Sequence, residues 1–444
     1  MKNIKAALAG FCIILTGLWL LADSLLPEPF TYFAFRTPFV QFTGILAMGM
    51  MSLAMILATR PRWLEPWLNG LDKMYRLHKW LGIGALVLSV LHWWWGQGSK
   101  WMVAWGWLDR PERKPSPGET MGWFAQLLRE QRGLAETLGE WAFYASALLI
   151  ILALIKSFPY HWFKYTHKWL AAAYLVLAYH SVVLMQYDYW VQPIAWISLA
   201  LMLYGTVAAI QILTGRLGHG RKVSGTLESI EYYPALATLE GNIRLNDGWP
   251  GHHPGQFAFV SDRTGEAAHP YTIASAWDPT TSRLRFVVKE LGDWTGQLRE
   301  RLHEGMDVTV EGPYGCFDFN DTRERQIWIG AGIGITPFIA KLEARTQSRD
   351  RRPIDLFHVT NVYDDRAMSK LRAAAESAQV RLHIRVTTSE GRLTPDLIRD
   401  AVPEWQQASL WFCGPSVFGE ALRDDFIKHG LQPGDYHQEL FAMR

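Results

Sequence analysis

Residues 77–95 read LHKWLGIGALVLSVLHWWW, and residues 167–186 read HKWLAAAYLVLAYHSVVLMQ. Each is an apolar run close to the roughly 20 residues that cross a bilayer as a helix. Each also carries two histidines, His78 and His92 in the first and His167 and His180 in the second. Ionisable side chains inside a span are costly and are usually kept for function. The members of the pairs are fourteen and thirteen residues apart, which is about 21 and 20 Å at the rise of a helix. Matching by depth pairs His78 with His167 and His92 with His180. Neutral imidazole is a good axial ligand for iron, so the layout predicts two bis-histidine haems stacked through the membrane. A zinc or copper ion shared by both pairs is excluded by their separation. Rotation is less simple. On an ideal helix fourteen residues leave His78 and His92 about 40° apart, but thirteen leave His167 and His180 about 140° apart. The second of these spans therefore has to bend or change pitch.

Working outward, four more apolar runs, about 5–22, 38–59, 139–156 and 191–213, bring the expected spans to six. Lys2 and Lys5 precede the first, which lacks a clear cleavage site and reads as a retained anchor. Basic residues set the orientation. Arg60, Arg62, Lys73, Arg76 and Lys79 lie between spans two and three, Lys156, Lys164 and Lys168 between four and five, and Arg216, Arg221 and Lys222 after six. This places both termini and the whole second half in the cytoplasm of a multi-pass protein of a bacterial-type inner membrane. The 97–138 loop is then external, although it carries Lys100, Arg110, Arg113, Lys114, Arg129 and Arg132 among its acids. Charged residues are only 19 % of the chain, against about 25 % in average soluble domains, and the deficit sits in the first half. Most of the 22 tryptophans do too, as befits membrane interfaces. A net charge of +2 gives no reason to expect nucleic acid. Cys12, Cys316 and Cys413 have no metal spacing and read as free thiols.

After a polar exit, Thr214 to Lys222, alternating apolar segments over about 223–311 predict an antiparallel β-barrel. From 326 the pattern becomes α/β. A strand at 326–329 runs into Gly330-Ala331-Gly332-Ile333-Gly334-Ile335-Thr336-Pro337 and a helix, with further strands near 354–360, 381–387 and 409–413. Such a turn lets the backbone approach a pyrophosphate at a helix N-terminus. Cys413-Gly414-Pro415 at the end of a later strand falls where open α/β sheets bind ligands.

Taken in order, these motifs resemble the ferric reductase and NADPH oxidase superfamily over nearly the whole chain, and the second half is similar to ferredoxin–NADP reductases. The resemblance rests on the histidine spacing, Pro254-Gly255-Gln256-Phe257, His269-Pro270-Tyr271-Thr272-Ile273-Ala274-Ser275, Gly292-Asp293-Trp294-Thr295, Gly312-Pro313-Tyr314-Gly315, Gly330 to Phe338, and Cys413-Gly414-Pro415. It implies a multidomain architecture: a six-helix transmembrane haem bundle over 1–215, an FAD-binding antiparallel β-barrel over 216–322, and an NAD(P)-binding α/β domain over 323–444. By that resemblance His269, Pro270, Tyr271 and Thr272 contact FAD, with the Thr272 hydroxyl near the redox-active ring. Trp294 and Thr295 complete the flavin pocket, and Lys289 stands where the oxidases have an Arg near the flavin phosphates. Gly330, Gly332, Gly334, Thr336, Pro337, Gly414 and Pro415 hold NADPH or NADH, with NADPH favoured by family. Cys413 lies near the nicotinamide, and Phe441 places an aromatic ring on the flavin.

The implied activity passes electrons from NAD(P)H through FAD and two b-type haems to an external acceptor, ferric iron or molecular oxygen. Gly96 stands where the oxidases carry a histidine of the oxygen pocket, a departure that counts against superoxide production. Arg36 is a candidate for a haem propionate or the acceptor, or an ordinary interfacial cation. Asn361 is neutral where the oxidases place an Arg for the 2′-phosphate, which leaves Arg366 or Arg392 to substitute. Tyr174 lies midway between His167 and His180, with packing its simpler role. A second reading makes the membrane part a donor to a periplasmic redox protein docked on the 97–138 loop.

Overall fold

The computed structural model describes residues 2–109, 122–262, 268–292, 294–348 and 350–439. The chain divides into two compact units. One comprises residues 1–64 and 73–217, and the other residues 65–72 and 218–443.

The first unit is helical. Its elements are α1 (Lys2–Leu20), α2 (Tyr32–Ala58), α4 (Leu71–Ala104), α5 (Trp123–Leu154), α6 (Tyr160–Lys168), α7 (Leu170–Leu184) and α8 (Pro193–Leu213); the short α3 (Glu65–Leu68) belongs to the second unit. Thr31 caps α2 by accepting the Ala34 N–H, and Pro193 opens α8, where a missing N–H costs nothing. The core joins Leu15 and Trp19 of α1 to Tyr174 and Ala178 of α7 and to Ala195, Met202 and Ala209 of α8. The Trp19 indole donates to Tyr189 Oη at 3.1 Å, and Tyr189 donates to Asp23.

Among the described residues, α2, α5 and α8 are long and apolar enough to cross a membrane, and α1 is a shorter apolar helix. The other expected spans differ from a plain apolar run for two reasons. Lysines, histidines and five tryptophans dilute α4, and the remaining span is divided into α6 and α7. The expected boundaries also change. The 34 residues of α4 and 32 of α5 give lengths of about 51 and 48 Å, well beyond the ~30 Å hydrocarbon layer. An apolar run marks only the lipid-facing part of a helix, so most of the expected 97–138 loop is helix instead, ending at Ala104 and resuming at Trp123.

The second unit holds two sheets. The first comprises β1 (Lys222–Tyr233), β2 (Thr238–Leu245), β3 (Phe257–Asp262), β4 (His269–Thr272), β5 (Arg283–Lys289) and β6 (Asp307–Tyr314), with the small helix α9 (Leu298–Arg301) before β6. Its order is β4-β3-β6-β1-β2-β5, its named pairings are antiparallel, and a bridge from Ile273 to Phe286 joins its two ends. Buried Glu65 accepts the Gly315 N–H at 2.6 Å.

The second sheet is parallel, in the order β11-β10-β7-β8-β9. It is built from β7 (Arg325–Ala331), α10 (Thr336–Thr346), β8 (Ile354–Thr360), α11 (Asp365–Ser377), β9 (Arg381–Val386), α12 (Thr387–Glu390), α13 (Pro395–Ala401), β10 (Ala408–Cys413), α14 (Ser416–Lys428) and β11 (Tyr436–Glu439). Four of its strands lie where the sequence predicts them; β11 is new. The crossovers on either side of β7 run in opposite directions across the sheet, so its switch point lies between β7 and β10. The first unit ends at Leu217 rather than 215, and the two sheets expected as separate domains form one compact unit. Lys370 of α11 fastens them by binding Glu231 at 2.7 Å and Tyr233 Oη at 2.5 Å on β1.

Candidate functional site

The four membrane histidines meet in the two pairs that depth matching predicts. The ring centres of His78 and His167 are 5.9 Å apart and those of His92 and His180 are 6.2 Å apart. The rotation problem is solved by a break. Helix α6 stops at Lys168, and the Trp169 N–H makes a tight bond to Thr166 O at 3.0 Å before α7 begins at Leu170. The break re-aims His167 relative to His180, so both rings face α4.

Backbone carbonyls orient three of the rings through Nδ1. His78 bonds Ala54 O at 2.9 Å, His92 bonds Val40 O at 2.9 Å and His180 bonds Ala135 O at 2.8 Å. That leaves Nε2 to bind a metal, the usual second contact of a metal-ligating histidine. His167 stacks on Phe163, and its Nδ1 has no hydrogen-bond partner among the described residues. An imidazole nitrogen binds a first-row metal at about 2.0–2.1 Å, so two imidazoles that shared one ion would have their ring centres roughly 6 Å apart. The observed separations fit that requirement. Two glycines make room: a Cβ on Gly44 would stand 3.1 Å from the His92 ring, and one on Gly139 would stand 1.9 Å from His180 Nδ1.

A cavity of about 480 Å³ adjoins His92 and His180 and is lined also by Arg36, Lys100, Arg132, Glu136 and Glu140. Arg36 donates to Trp95 O at 3.0 Å, Ser99 Oγ at 2.8 Å and Gly96 O at 2.9 Å. The rim around Gly96 is thus tied by an arginine. Tyr174 is fully buried. Its hydroxyl pairs with Ser52 Oγ at 2.9 Å and donates to Met202 O at 3.1 Å, in space left by Gly205. That is a packing role.

In the first sheet His269 stacks on Trp294, with ring centres 4.8 Å apart and planes 12° from parallel. The Trp294 indole donates to Tyr271 Oη at 3.1 Å, and Arg301 lies over its ring. Thr272, at the end of β4, is buried, and its Oγ1 has no hydrogen-bond partner among the described residues. An aromatic wall beside an unused buried hydroxyl fits a flat polar ring such as a flavin. Pro270 is exposed opposite Phe259, and Lys289 ends β5 opposite Thr238. The Thr295 hydroxyl accepts the N–H groups of Leu291 and Gly292, at 2.8 and 3.2 Å, and so builds the turn. His252 was not foreseen. It bonds Ser275 O at 2.9 Å through Nε2, and burial lowers its pKa.

At the switch point of the second sheet the glycine turn lies directly on Cys413-Gly414. A Cβ on Gly334 would stand 2.2 Å from Cys413 O, and Gly332 has φ +57°. Thr336 Oγ1 bonds Ile333 O at 2.5 Å, Pro337 is buried in the first turn of α10, and Pro415 precedes α14. Cys413 is fully buried. Burial, and then the charge of Glu439, push its thiol pKa well up, so it is an inert wall rather than a nucleophile. Glu439 was also missed; it faces Cys413 in register on β11. His358, buried beside the turn, bonds Gly330 O at 3.2 Å through Nδ1, and burial lowers its pKa to about 4. Arg366 is diverted to Glu231 at 2.7 Å, whereas Arg392 is exposed, with no carboxylate in ion-pair range among the described residues. Asn361 accepts the hydroxyls of Thr387 and Thr388 at 2.9 and 2.8 Å, tying the ends of β8 and β9 together. Phe441 lies outside the described residues.

Two family models match the chain. One, described as the ferric reductase like transmembrane component, matches residues 43–178, and one described as an FAD-binding domain matches residues 236–317. Respiratory burst oxidase homolog protein E of Arabidopsis thaliana is 29 % identical over 250 residues, covering 49 % of this chain and 25 % of that protein. Ferric reduction oxidase 5 of the same plant is 38 % identical over 88 residues, 19 % of this chain and 12 % of that one. A flavohemoprotein of Oceanobacillus iheyensis is 22 % identical over 210 residues, 43 % of this chain and 51 % of that one. The chain spans about half, or less, of the length of these curated relatives. A solved flavohemoglobin of Malassezia yamatoensis aligns with TM-score 0.48 and 15 % identity over 92 % of this chain and 98 % of that one.

Proposed function

We propose, from the membership of this chain in the ferric reductase and NADPH oxidase superfamily, that it carries electrons across a membrane from a nicotinamide nucleotide to an acceptor on the far side. Its redox groups are FAD and two b-type haems. The reading rests above all on the two histidine pairs, whose ring separations of 5.9 and 6.2 Å suit a shared iron. When bound, FAD divides the electron pair of a hydride and haem carries the electrons singly.

The residues of the chain have the following roles. His78 with His167, and His92 with His180, hold the two irons, with the first pair nearer the cytoplasm in a bundle of six spans. The wall of His269, Tyr271 and Trp294 orients the flavin, and the Thr272 hydroxyl bonds it. Pro270 and Thr295 shape the segments around it, Lys289 answers its phosphates, and Phe441 covers its ring. The backbone from Gly330 to Gly334 cradles the dinucleotide at the start of α10, with Thr336, Pro337, Gly414 and Pro415 keeping the turn in shape. Cys413 and Glu439 close the nicotinamide end and keep water out. Arg36 and Lys100 in the lining of the 480 Å³ cavity suit haem propionates or an anionic acceptor.

Ferric iron is the preferred acceptor, because position 96 is a glycine whose carbonyl is bound by Arg36; oxygen is the alternative. The decisive experiment purifies the full chain, records its reduced spectrum, and follows NADH and NADPH oxidation with a ferric chelate or oxygen, with superoxide dismutase as control. Absence of a b-type spectrum refutes the haem reading. One observation favours a second reading, a donor to a periplasmic redox protein: Trp105, Trp107 and Trp123 are exposed at the ends of α4 and α5. Sustained turnover of the isolated chain with a small acceptor refutes that alternative.

A further inference from the structure

Glu140 lines the cavity beside His92 and His180. It belongs to α5, a helix apolar enough to cross a membrane, where an acid is costly and usually kept for function. Its carboxyl accepts the Tyr144 hydroxyl at 2.7 Å, and Tyr144 accepts the Trp93 indole N–H at 3.2 Å. Trp93 lines the same cavity. These bonds orient the acid without supplying a cation.

The other charged groups of the cavity are otherwise engaged or further off. Glu136 pairs with Arg132 at 3.0 Å. Arg132 precedes Glu140 by eight residues, about 12 Å along the helix. Arg36 is bound to the carbonyls of Trp95 and Gly96 and to Ser99, and Lys100 lies near the far end of α4. Among the described residues no cation lies within ion-pair distance of Glu140. Its chain neighbour Gly139 is the residue packed against the His180 ring.

We propose that Glu140 is a tuning residue that holds the His92–His180 haem at a low reduction potential. The proposal rests on the haem reading and adds to it. Reduction removes one positive charge from the iron site. A negative charge on the cavity wall therefore favours the oxidised form. The consequence is a stronger reductant at the last step before the acceptor, set by a side chain that touches neither iron ligand nor substrate.

Spectroelectrochemical titration of the full chain in detergent tests this, with the component lost in His92→Ala assigning the relevant band. Glu140→Gln should raise that midpoint by about tenfold in the reduced-to-oxidised ratio, about 59 mV for one electron, and leave the His78–His167 midpoint in place. Glu140→Asp, which keeps the charge, should leave the midpoint near that of the wild type. Thr137→Glu adds a carboxylate to the same cavity wall without touching Glu140, and should lower the midpoint. The proposal is overturned by an unmoved midpoint in Glu140→Gln or by no lowering in Thr137→Glu. Intact haem bands with unmoved midpoints overturn this proposal alone, whereas absent bands overturn the haem reading with it.

Discussion

A methyl group on Gly139 would stand 1.9 Å from Nδ1 of His180 and 2.6 Å from its Cγ and Cε1. Comfortable contact begins at about 3.5 Å, so helix or ring has to yield by roughly 1.5 Å. The ring cannot yield cheaply, because its Nδ1 is bonded to Ala135 O at 2.8 Å on the preceding turn of the same helix. Overpacking costs about 1–3 kcal/mol, and loss of the hydrogen bond about 1 kcal/mol more. Together these lower the ligand-competent population by roughly 30- to 700-fold, at about 1.4 kcal/mol per tenfold. Gly139→Ala should therefore reduce the haem content of the purified chain from two towards one, with loss of the His92–His180 component. Gly44→Ala is the internal control. Its methyl would stand 3.1 Å from the His92 ring, a few tenths of an ångström too close, and two haems should remain. The assay is a pyridine haemochrome count against protein, with His180→Ala as the reference for a lost site. Two haems per chain and an unchanged spectrum in Gly139→Ala would refute the packing argument.

Gly334→Ala would bring a methyl to 2.2 Å from the Cys413 carbonyl oxygen; flavin reduction by NAD(P)H should fall at least about tenfold, while flavin content and dithionite-reduced haem bands stay normal. For the 2′-phosphate, Arg392→Ala should lower kcat/KM for NADPH by about tenfold or more and spare NADH, whereas Arg366→Ala, already committed to Glu231, should leave the NADPH-to-NADH ratio unchanged; equal loss with both coenzymes in Arg392→Ala sinks this assignment. His358 has its pKa lowered by burial to about 4 from 6.5, so the unfolded chain binds its proton first on acidification. Its stabilisation is complete above pH 6.5 and is lost as pH falls towards 4, by up to roughly 3 kcal/mol. A urea titration followed by flavin fluorescence should show that slope in the wild type and a flatter one in His358→Gln.

Local rules carried much of the architecture into the sequence. The pairing of His78 with His167 and of His92 with His180 follows from helix rise alone. The glycine turn after β7 and the strands β8, β9 and β10 follow from short apolar runs closed by turn residues. The motifs single out His269, Tyr271 and Trp294, which the fold brings together in one aromatic wall, whereas the target of the Thr295 hydroxyl depends on the path of the turn around it. Arg366 and Arg392 were equivalent candidates as letters. Only the packing of α11 against β1, which brings Glu231 to Arg366, separates them.

The remainder needed the chain to be folded. Residue counting along span five exposes a 140° mismatch but not its remedy, because the break at Trp169 is a feature of the folded backbone. Charged and tryptophan-rich turns conceal the true lengths of α4 and α5, since hydropathy reports where lipid is and not where helical hydrogen bonds end. Glu439 and Cys413 lie far apart in sequence and become neighbours only when β11 pairs with β10. What the sequence alone determined about this protein is therefore the kind and depth of its paired histidines, which depend on residue type and helix rise. The ring-to-ring distances, the buried Cys413 and the Tyr144-bound Glu140 were decided by tertiary structure, because each depends on which distant side chain shares the space.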